Sequence, residues 1–337
     1  MSTTAPLSVN QAADLVDRSI QKIFSKTSEP EAMYKKYFNF RTTEDLYEKD
    51  SGLSGLGIAD FVDENAAVHV DVPIQTFDKT YTQVQIEHMV SFTKKMYVFG
   101  IKRRDLDNKA LELKRAIARK REQLCAEYLD NGFESTSYSH SGIAKTTTVS
   151  TAGGDTLGPW DDDHTREDGG TNMNNYVYDG TTYNLPLDYA GLKAAYRTMS
   201  LFVDPRGNKY PANLTHVVVK KGSSAHFKAM EILGAIKRGR IPESTDNDAA
   251  AVGAFEVLPL DYLSNAAYWW AFDSSRALSD EQGLQFVESQ APSLLPVNVV
   301  YKTGEIQQKV ESMSTHGHND VARSWVASKG DSSSPSD

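Results

Sequence analysis

Several short stretches carry residue types that do chemistry. Trp160, Asp161, Asp162, Asp163 and His164, with Asp168 close by, group oxygen ligands of the kind that hold a hard divalent cation. They lack the spaced ligands and central glycine of an EF-hand loop, so an acidic solvated loop is the simpler reading. His316 and His318, two apart in HGHND, would share a face in a strand and could grip a metal between them. No third ligand is identified, and the stretch reads as a surface turn around Gly317. Ser223 and Ser224 precede His226 in SSAH, which are hydrolase residue types. On one helical turn they read instead as a helix start. The glycine-bearing segments RGNKYP, GTTYN and KGSSAH match neither a phosphate loop nor a dinucleotide fingerprint. A nucleophile elbow and a zinc-protease motif are also missing. No catalytic residue, cofactor-binding residue or metal ligand is assigned, and no cofactor is expected.

The elements around these residues tell more. The chain has 337 residues, with 39% hydrophobic and 24% charged side chains, as in an ordinary globular protein. No run approaches the ~18 consecutive apolar residues of a membrane span, so no membrane partner is expected. The N-terminal stretch lacks the basic start and apolar core of a signal peptide. One cysteine, Cys125, excludes an intrachain disulfide framework and a Cys-rich zinc site, and reads as a small core residue. The net charge of −9 disfavours wrapping of nucleic acid by the whole surface, while local basic patches remain.

Along the chain, residues 9–26 read as an amphipathic helix, with Ala12, Leu15, Val16, Ile20 and Ile23 at helical spacing. An aromatic cluster follows at Tyr34, Tyr37, Phe38 and Phe40, then the small-residue stretch SGLSGLG. Gly52, Gly55 and Gly57 are expected to act as a hinge there. The first 58 residues read as an arm. Two period-two runs come next: Val68, Val70, Val72 and Ile74, then Val84, Ile86, His88, Val90 and Phe92. With the polar residues 76–80 between them, they predict a long hairpin over 59–98 with one apolar face. Pro73 argues for an exposed edge, and two strands alone are marginal in water, so that face needs a partner.

Residues 105–131 carry the strongest helix signal, with cap residues Asp105 and Asp107 and the stop Asn131-Gly132. Lys114, Arg115, Arg119, Lys120 and Arg121 make the helix locally basic and able to contact phosphates. Residues 133–185 are polar and read as an insertion. From 188 to 295, helices alternate with strands: a helix after Asp188, the strand LTHVVVKKG, a helix over 223–238, and the strands AFEVLPLDYL and AAYWWAFDS. Strands return over 297–328, and the last residues, GDSSSPSD, read as a disordered tail.

The order of these elements resembles that of the major capsid proteins of tailed bacteriophages, an α+β architecture known as the HK97 fold. GLGIADFVDENAAVHVDVPIQTFDKTYTQVQIEHMVSFTKKM is similar to the segment that runs through the extended hairpin, or E-loop, towards the spine helix. EYLDNGF is similar to the end of that helix, and YPANLTHVVVKKGSSAHFKAMEIL and FEVLPLDYLSNAAYWWAFDSS resemble the axial domain. The resemblance implies five parts: an N-terminal arm (1–58), an E-loop (59–98), a spine helix and peripheral domain with a polar insertion (99–187), an α/β axial domain (188–295), and return strands of the peripheral domain with a tail (296–337). It implies a structural, non-enzymatic head protein that self-assembles into hexamers and pentamers of an icosahedral shell around double-stranded DNA.

Inter-subunit contact is then expected from the hairpin residues Val70, Val72, Ile74, Phe77, Lys79, Tyr81, Val84 and Ile86. Weak DNA contact is expected from the basic helix. Portal and scaffolding proteins, and a decoration protein, are the implied partners. The implied location is the virion, with the host cytoplasm during assembly. Some relatives cross-link lysine to asparagine between subunits; Lys79, Lys94 and Lys95 lie near the hairpin, but no acceptor is identified and no cross-link is expected. An encapsulin-like nanocompartment shell shares the fold and is the nearest alternative. An α/β enzyme lacks its motifs, and a monomeric binding module does not suit an exposed apolar hairpin.

Overall fold

In the computed structural model, the described residues are 32–335 apart from 53, 55, 60, 94, 97–102, 134, 135, 143, 144, 239–253, 280 and 281, together with 18, 21, 22 and 24. Most of the helix expected over 9–26 lies outside them; Arg18, Gln21, Lys22 and Phe24 are helical. A 3-10 turn at Met33–Lys36 leads into β1 (Asn39–Thr42), β2 (Tyr47–Asp50), β3 (Lys79–Thr82) and β4 (Val84–Phe92). The long helix α1 (Arg103–Asn131) follows, with 29 residues and a length of about 44 Å. Then come β5 (Ser137–Ser141), β6 (Thr146–Ser150), α2 (Tyr189–Ser200), β7 (His216–Lys220), α3 (Ser224–Arg238), β8 (Glu256–Leu260) and β9 (Trp269–Phe272). The chain closes with α4 (Ser274–Ala277), β10 (Leu284–Leu294), β11 (Asn298–Val300), β12 (Glu305–His318) and β13 (Trp325–Ser328).

The α/β part has a sheet of order β13-β9-β7-β8. Its strands are apolar at almost every position because both faces are covered. Val217, Val219, Trp269, Ala271 and Val326 feed the core beneath α2 and α3. Their neighbours Val218, Trp270, Phe272, Trp325 and Ala327 feed a second core shared with the C-terminal half of α1. Of the expected caps, Asp188 acts as one, whereas Asp105 and Asp107 lie inside α1, which begins at Arg103. The Asp188 carboxylate accepts from Gly191 N at 2.7 Å, and the Asp273 carboxylate accepts from Ser275 N at 3.1 Å.

The platform sheet has the order β1-β10-β12-β11, with β4 on the other edge of β12. Leu113 and Ile117 of α1 bury against Val310, with Ile86, Val90 and Leu294 beside them. Helix α1 therefore spans two cores, and its apolar stripe changes partner halfway along.

Several expected boundaries shift. β10 belongs to the platform, although the alternation of helices and strands put it in the α/β domain. β13 belongs to the α/β sheet, although it lies among the return strands. The polar insertion is partly structural: after the β5–β6 hairpin, Trp160, Tyr176 and Val177 are buried, and Tyr176 bridges to Ala327. The tail is tied down through 333, because Ser332 N donates to Asn184 O at 2.9 Å and Asn184 Nδ2 donates to Ser333 O at 3.1 Å.

Candidate assembly surface

The extended hairpin exists, but its legs are not the two runs that alternation suggested. β4 pairs along its whole length with β12, from Ile306↔Phe92 to Ser314↔Val84. The run at 68–74 belongs to the returning leg of a hairpin whose outgoing leg starts at β2. β2 and β3 pair antiparallel from Tyr47↔Thr82 to Asp50↔Lys79. Beyond that ladder Thr76 N donates to Gly52 O at 3.0 Å, and Ser54 N donates to Ile74 O at 2.7 Å. Side chains reinforce the legs: Thr76 Oγ1 accepts from Gly52 N, and Ser54 Oγ accepts from Ile74 N, both at 2.9 Å. Gly57 N donates to the Asp71 carboxylate. The turn therefore lies within 58–70, not at 76–80. A turn with Ala66 N donating to Asp63 O at 3.0 Å sits near the tip.

This arm concentrates exposed apolar surface. Of nineteen large exposed apolar side chains among the described residues, nine fall between Leu46 and Val72. Phe61 is fully exposed, and Val70 is 81% exposed. Val68 and Val72 are nearly as open, as are Leu56 and Ile58 on the outgoing leg. Covering one such Val or Phe is worth about 1.5–3 kcal/mol. A single chain leaves that stabilisation unused.

The expected contact residues divide accordingly. Val70 and Val72 are exposed on the arm, and Ile74 is half-buried between its legs. Four others turn towards their own chain. Tyr81 is 2% exposed, beneath the Arg41 guanidinium and against Gly317. Lys79 Nζ donates to Ala152 O. The Phe77 carbonyl accepts from Asn319 Nδ2 at 3.0 Å. Ile86 packs on the cluster beneath α1. Val84, in β4 of the platform, is partly exposed. Tyr81, Lys79 and Ile86 are thus anchors of the arm's root and the platform rather than contact residues. The signals for Leu56, Ile58 and Phe61 were present in the sequence, but Leu56 and Ile58 lay in the segment read as an arm and hinge, and Phe61 lay in the hairpin segment before its first alternating run.

Gly52 and Gly57 sit within the paired outgoing leg, and Gly55 lies outside the described residues. Neither Gly52 nor Gly57 adopts the left-handed backbone. A Cβ at Gly52 would stand 2.9 Å from Thr76 Oγ1, so the glycine serves close approach of the legs.

The basic helix also divides. Arg115 and Arg119, one turn apart on α1, are exposed. Arg121 is 3% exposed and ion-paired with Glu288. Lys120 meets the His140 ring, and Lys114 Nζ donates to Phe24 O at 3.2 Å. A surface for phosphates reduces to Arg115 and Arg119. The expectation for Arg121 fails because one side of this helix is a core face.

The sites that could do chemistry are structural. His316 and His318 lie in β12, paired with Phe286 and Leu284, not in a surface turn. His318 Nδ1 is 2.7 Å from Tyr128 Oη, and the His316 ring meets Tyr128 edge-on at 5.3 Å. Burial pushes the two imidazoles down, to about 4 for His316 and about 3 for His318. His164 pairs with Asp155 at 2.7 Å, and Trp160 is a core residue, so WDDDH is not a free acidic loop. Ser223 Oγ accepts from His226 N at 3.1 Å as a helix cap. Burial holds the Cys125 thiol well above its usual range, so it stays protonated. Among the described residues no group of three or more His, Cys, Asp or Glu could hold a metal ion. No helix among them is long and apolar enough to cross a membrane.

An arm rooted on a platform sheet, a long helix beneath it and a separate α/β sheet define a capsid-type fold. Solved structures share it. The capsid of an empty GTA particle computed with C5 symmetry aligns over 89% of this chain and 90% of its own, with a TM-score of 0.52 at 12% identity. A chain of Mycobacterium phage Adephagia aligns over 98% and 100%, with a TM-score of 0.50 at 10% identity. The capsid structure of the cyanophage P-SCSP1u aligns over 90% and 89%, with a TM-score of 0.50 at 9% identity. At such identities the likeness is one of fold, and the HK97-like α+β fold expected from the order of elements is the fold of this chain. No family model and no curated protein sequence matches it.

Proposed function

We propose that this chain is the major capsid protein of a tailed phage-like particle, a structural subunit without enzymatic activity. Copies associate into hexamers and pentamers of an icosahedral shell enclosing double-stranded DNA. The observation that carries this reading is the arm: a paired, ordered hairpin that exposes apolar side chains a monomer has no use for, on a fold shared with capsid chains. Each arm lies across a neighbouring subunit and buries Phe61, Val68, Val70 and Val72 there, as obligate assemblies do. Arg115 and Arg119 face the packaged DNA and contact it weakly through phosphates. A portal protein, a scaffolding protein and a decoration protein complete the particle. The subunit resides in the virion and assembles in the host cytoplasm.

Deleting residues 58–70 tests this reading, because it removes the tip and leaves the β2–β3 ladder. Negative-stain microscopy and sedimentation velocity should show closed shells or five- and six-fold capsomers for the parent chain. The deletion should give folded subunits only. Normal closed particles from the deletion would sink the arm argument. Particles filled with protein cargo rather than DNA in an infected lysate would sink the phage reading.

A further inference from the structure

Arg206 bonds the arm to the α/β domain. Arg206 sits in a tight turn between α2 and β7 and reaches both legs of the hairpin. Its Nη1 donates to the Asp71 carboxylate, its Nη2 to the Val72 carbonyl, and its Nε to Ser54 Oγ at 3.3 Å. The turn that presents it is itself stiff. The Asp204 carboxylate accepts from Arg206 N at 2.9 Å and from Asn208 N at 2.8 Å, and Gly207 takes the left-handed backbone, φ 81°. Arg323 Nε, in the turn between β12 and β13, donates to Val203 O at 3.1 Å. Arg323 is in turn buried between Glu167 and Asp320.

The arm's root is equally fixed. Tyr81 is buried, Lys79 is bonded to Ala152 O, and Arg41 stands 3.5 Å from Glu48 and 3.6 Å from Asp50. Beyond Asp71, towards the tip, every residue from 61 to 70 is exposed. Between a fixed root and an open tip, one planar guanidinium sets the angle of the arm. A forked donor suits this role, since it engages a carboxylate, a carbonyl and a hydroxyl at once.

We propose that Arg206 is a latch that holds the hairpin arm to the α/β domain, and that opening it frees the arm to swing as one piece about its base at Gly52 and Thr76. The legs stay paired through the Gly52–Thr76 bonds and the Ser54 N to Ile74 O bond, none of which involves Arg206; Ser54 Oγ is shared between Ile74 N and Arg206 Nε. The latch is a property of the single chain. Its use, letting one subunit fit neighbours at several angles, rests on the capsid reading above.

Spin labels at Ala67→Cys on the tip and Lys228→Cys on α3, in free subunits diluted with unlabelled chain, read the arm's angle as a distance distribution. The native residues should give one narrow distribution. Arg206→Ala should at least double its width, while amide exchange at Ser54, Ile74 and Thr76 stays unchanged. Asp71→Asn leaves the 203–209 turn intact and should broaden the distribution by a smaller amount. It decides the matter where Arg206→Ala unsettles the turn. A narrow distribution retained in both variants overturns the latch, as does loss of leg protection, which would mean that the arm melts rather than swings. Neither readout depends on whether shells form.

Discussion

The α/β sheet and the hairpin arm both carry apolar side chains two residues apart, and they end in opposite conditions. In the sheet, Val217 and Val219 face one core while Val218 faces the other, so both sets are covered. In the arm, Val68, Val70 and Val72 have the same spacing and stand in solvent. Hydrogen bonding does not separate the regions, since both are ordered by backbone pairs. What differs is the layer above. The sheet finds α2 and α3 on one side and α1 on the other, whereas the arm finds neither. Alternation marks a surface that must be covered, and the source of the cover is a separate matter.

The largest test of this contrast is Trp325→Ala. This ring is fully buried in β13 and stacks on Phe272 at 4.2 Å. Truncation should cost about 3–5 kcal/mol, read as a drop in urea midpoint of the free subunit. A loss below about 1 kcal/mol would mean that the sheet's inner face is not a true core.

An intermediate effect comes from pH, because the core contains histidines and the arm's tip contact does not depend on them. His316 and His318 have folded values of about 4 and 3, below the ordinary value near 6.5. The unfolded chain therefore binds more protons in this window. Their contribution is fully present above about pH 6.5 and is lost as pH falls towards the folded values, on the order of 2 kcal/mol each at pH 5. Asp130 works the other way. Burial raises its carboxyl to about 6, so its cost is relieved as pH falls below that, by about 1 kcal/mol at pH 5. A net loss of about 3 kcal/mol between pH 7 and 5 should appear in urea melts, and His318→Gln should flatten that slope by roughly two-thirds. An unaltered slope would place the acid sensitivity elsewhere.

The smallest expected effect on the subunit is the most informative about the arm. Replacing Val68, Val70 and Val72 together by Ser should shift subunit stability by less than about 0.5 kcal/mol each. The same change should abolish closed particles. A large loss of stability in the free chain would show that these valines are covered by their own subunit, and the contrast with the sheet would collapse.

How much was legible in the sequence depends on the range of the signal. Helix α1 with its stop at Asn131, the cap Asp188, and strands β7, β8 and β9 were readable, because caps and periodicity act within a few residues; the start of α1 was placed two to four residues late. Exclusion of the hydrolase and phosphate-loop motifs was likewise local. The candidate surface was legible in kind and misplaced in detail. Phe61, Leu56 and Ile58 were passed over because their segment lacks strand periodicity, and Tyr81, Ile86 and Arg121 were assigned to surfaces although each is held against its own chain.

By itself, then, the sequence determined which segments become helix or strand and that some apolar faces would need a partner. Only the tertiary structure decided the partners. The run at 68–74 and the run at 84–92 carry the same period of two, which encodes a face and a direction but not a neighbour. Pairing β4 with β12, more than two hundred residues away, satisfies nine residues of ladder and covers Ile86 and Val90 beneath α1. Pairing it with 68–74 would have left the platform without an edge and that apolar face without a helix. The arm closes on its own outgoing leg with its valines outward, because no element among the described residues lies over it.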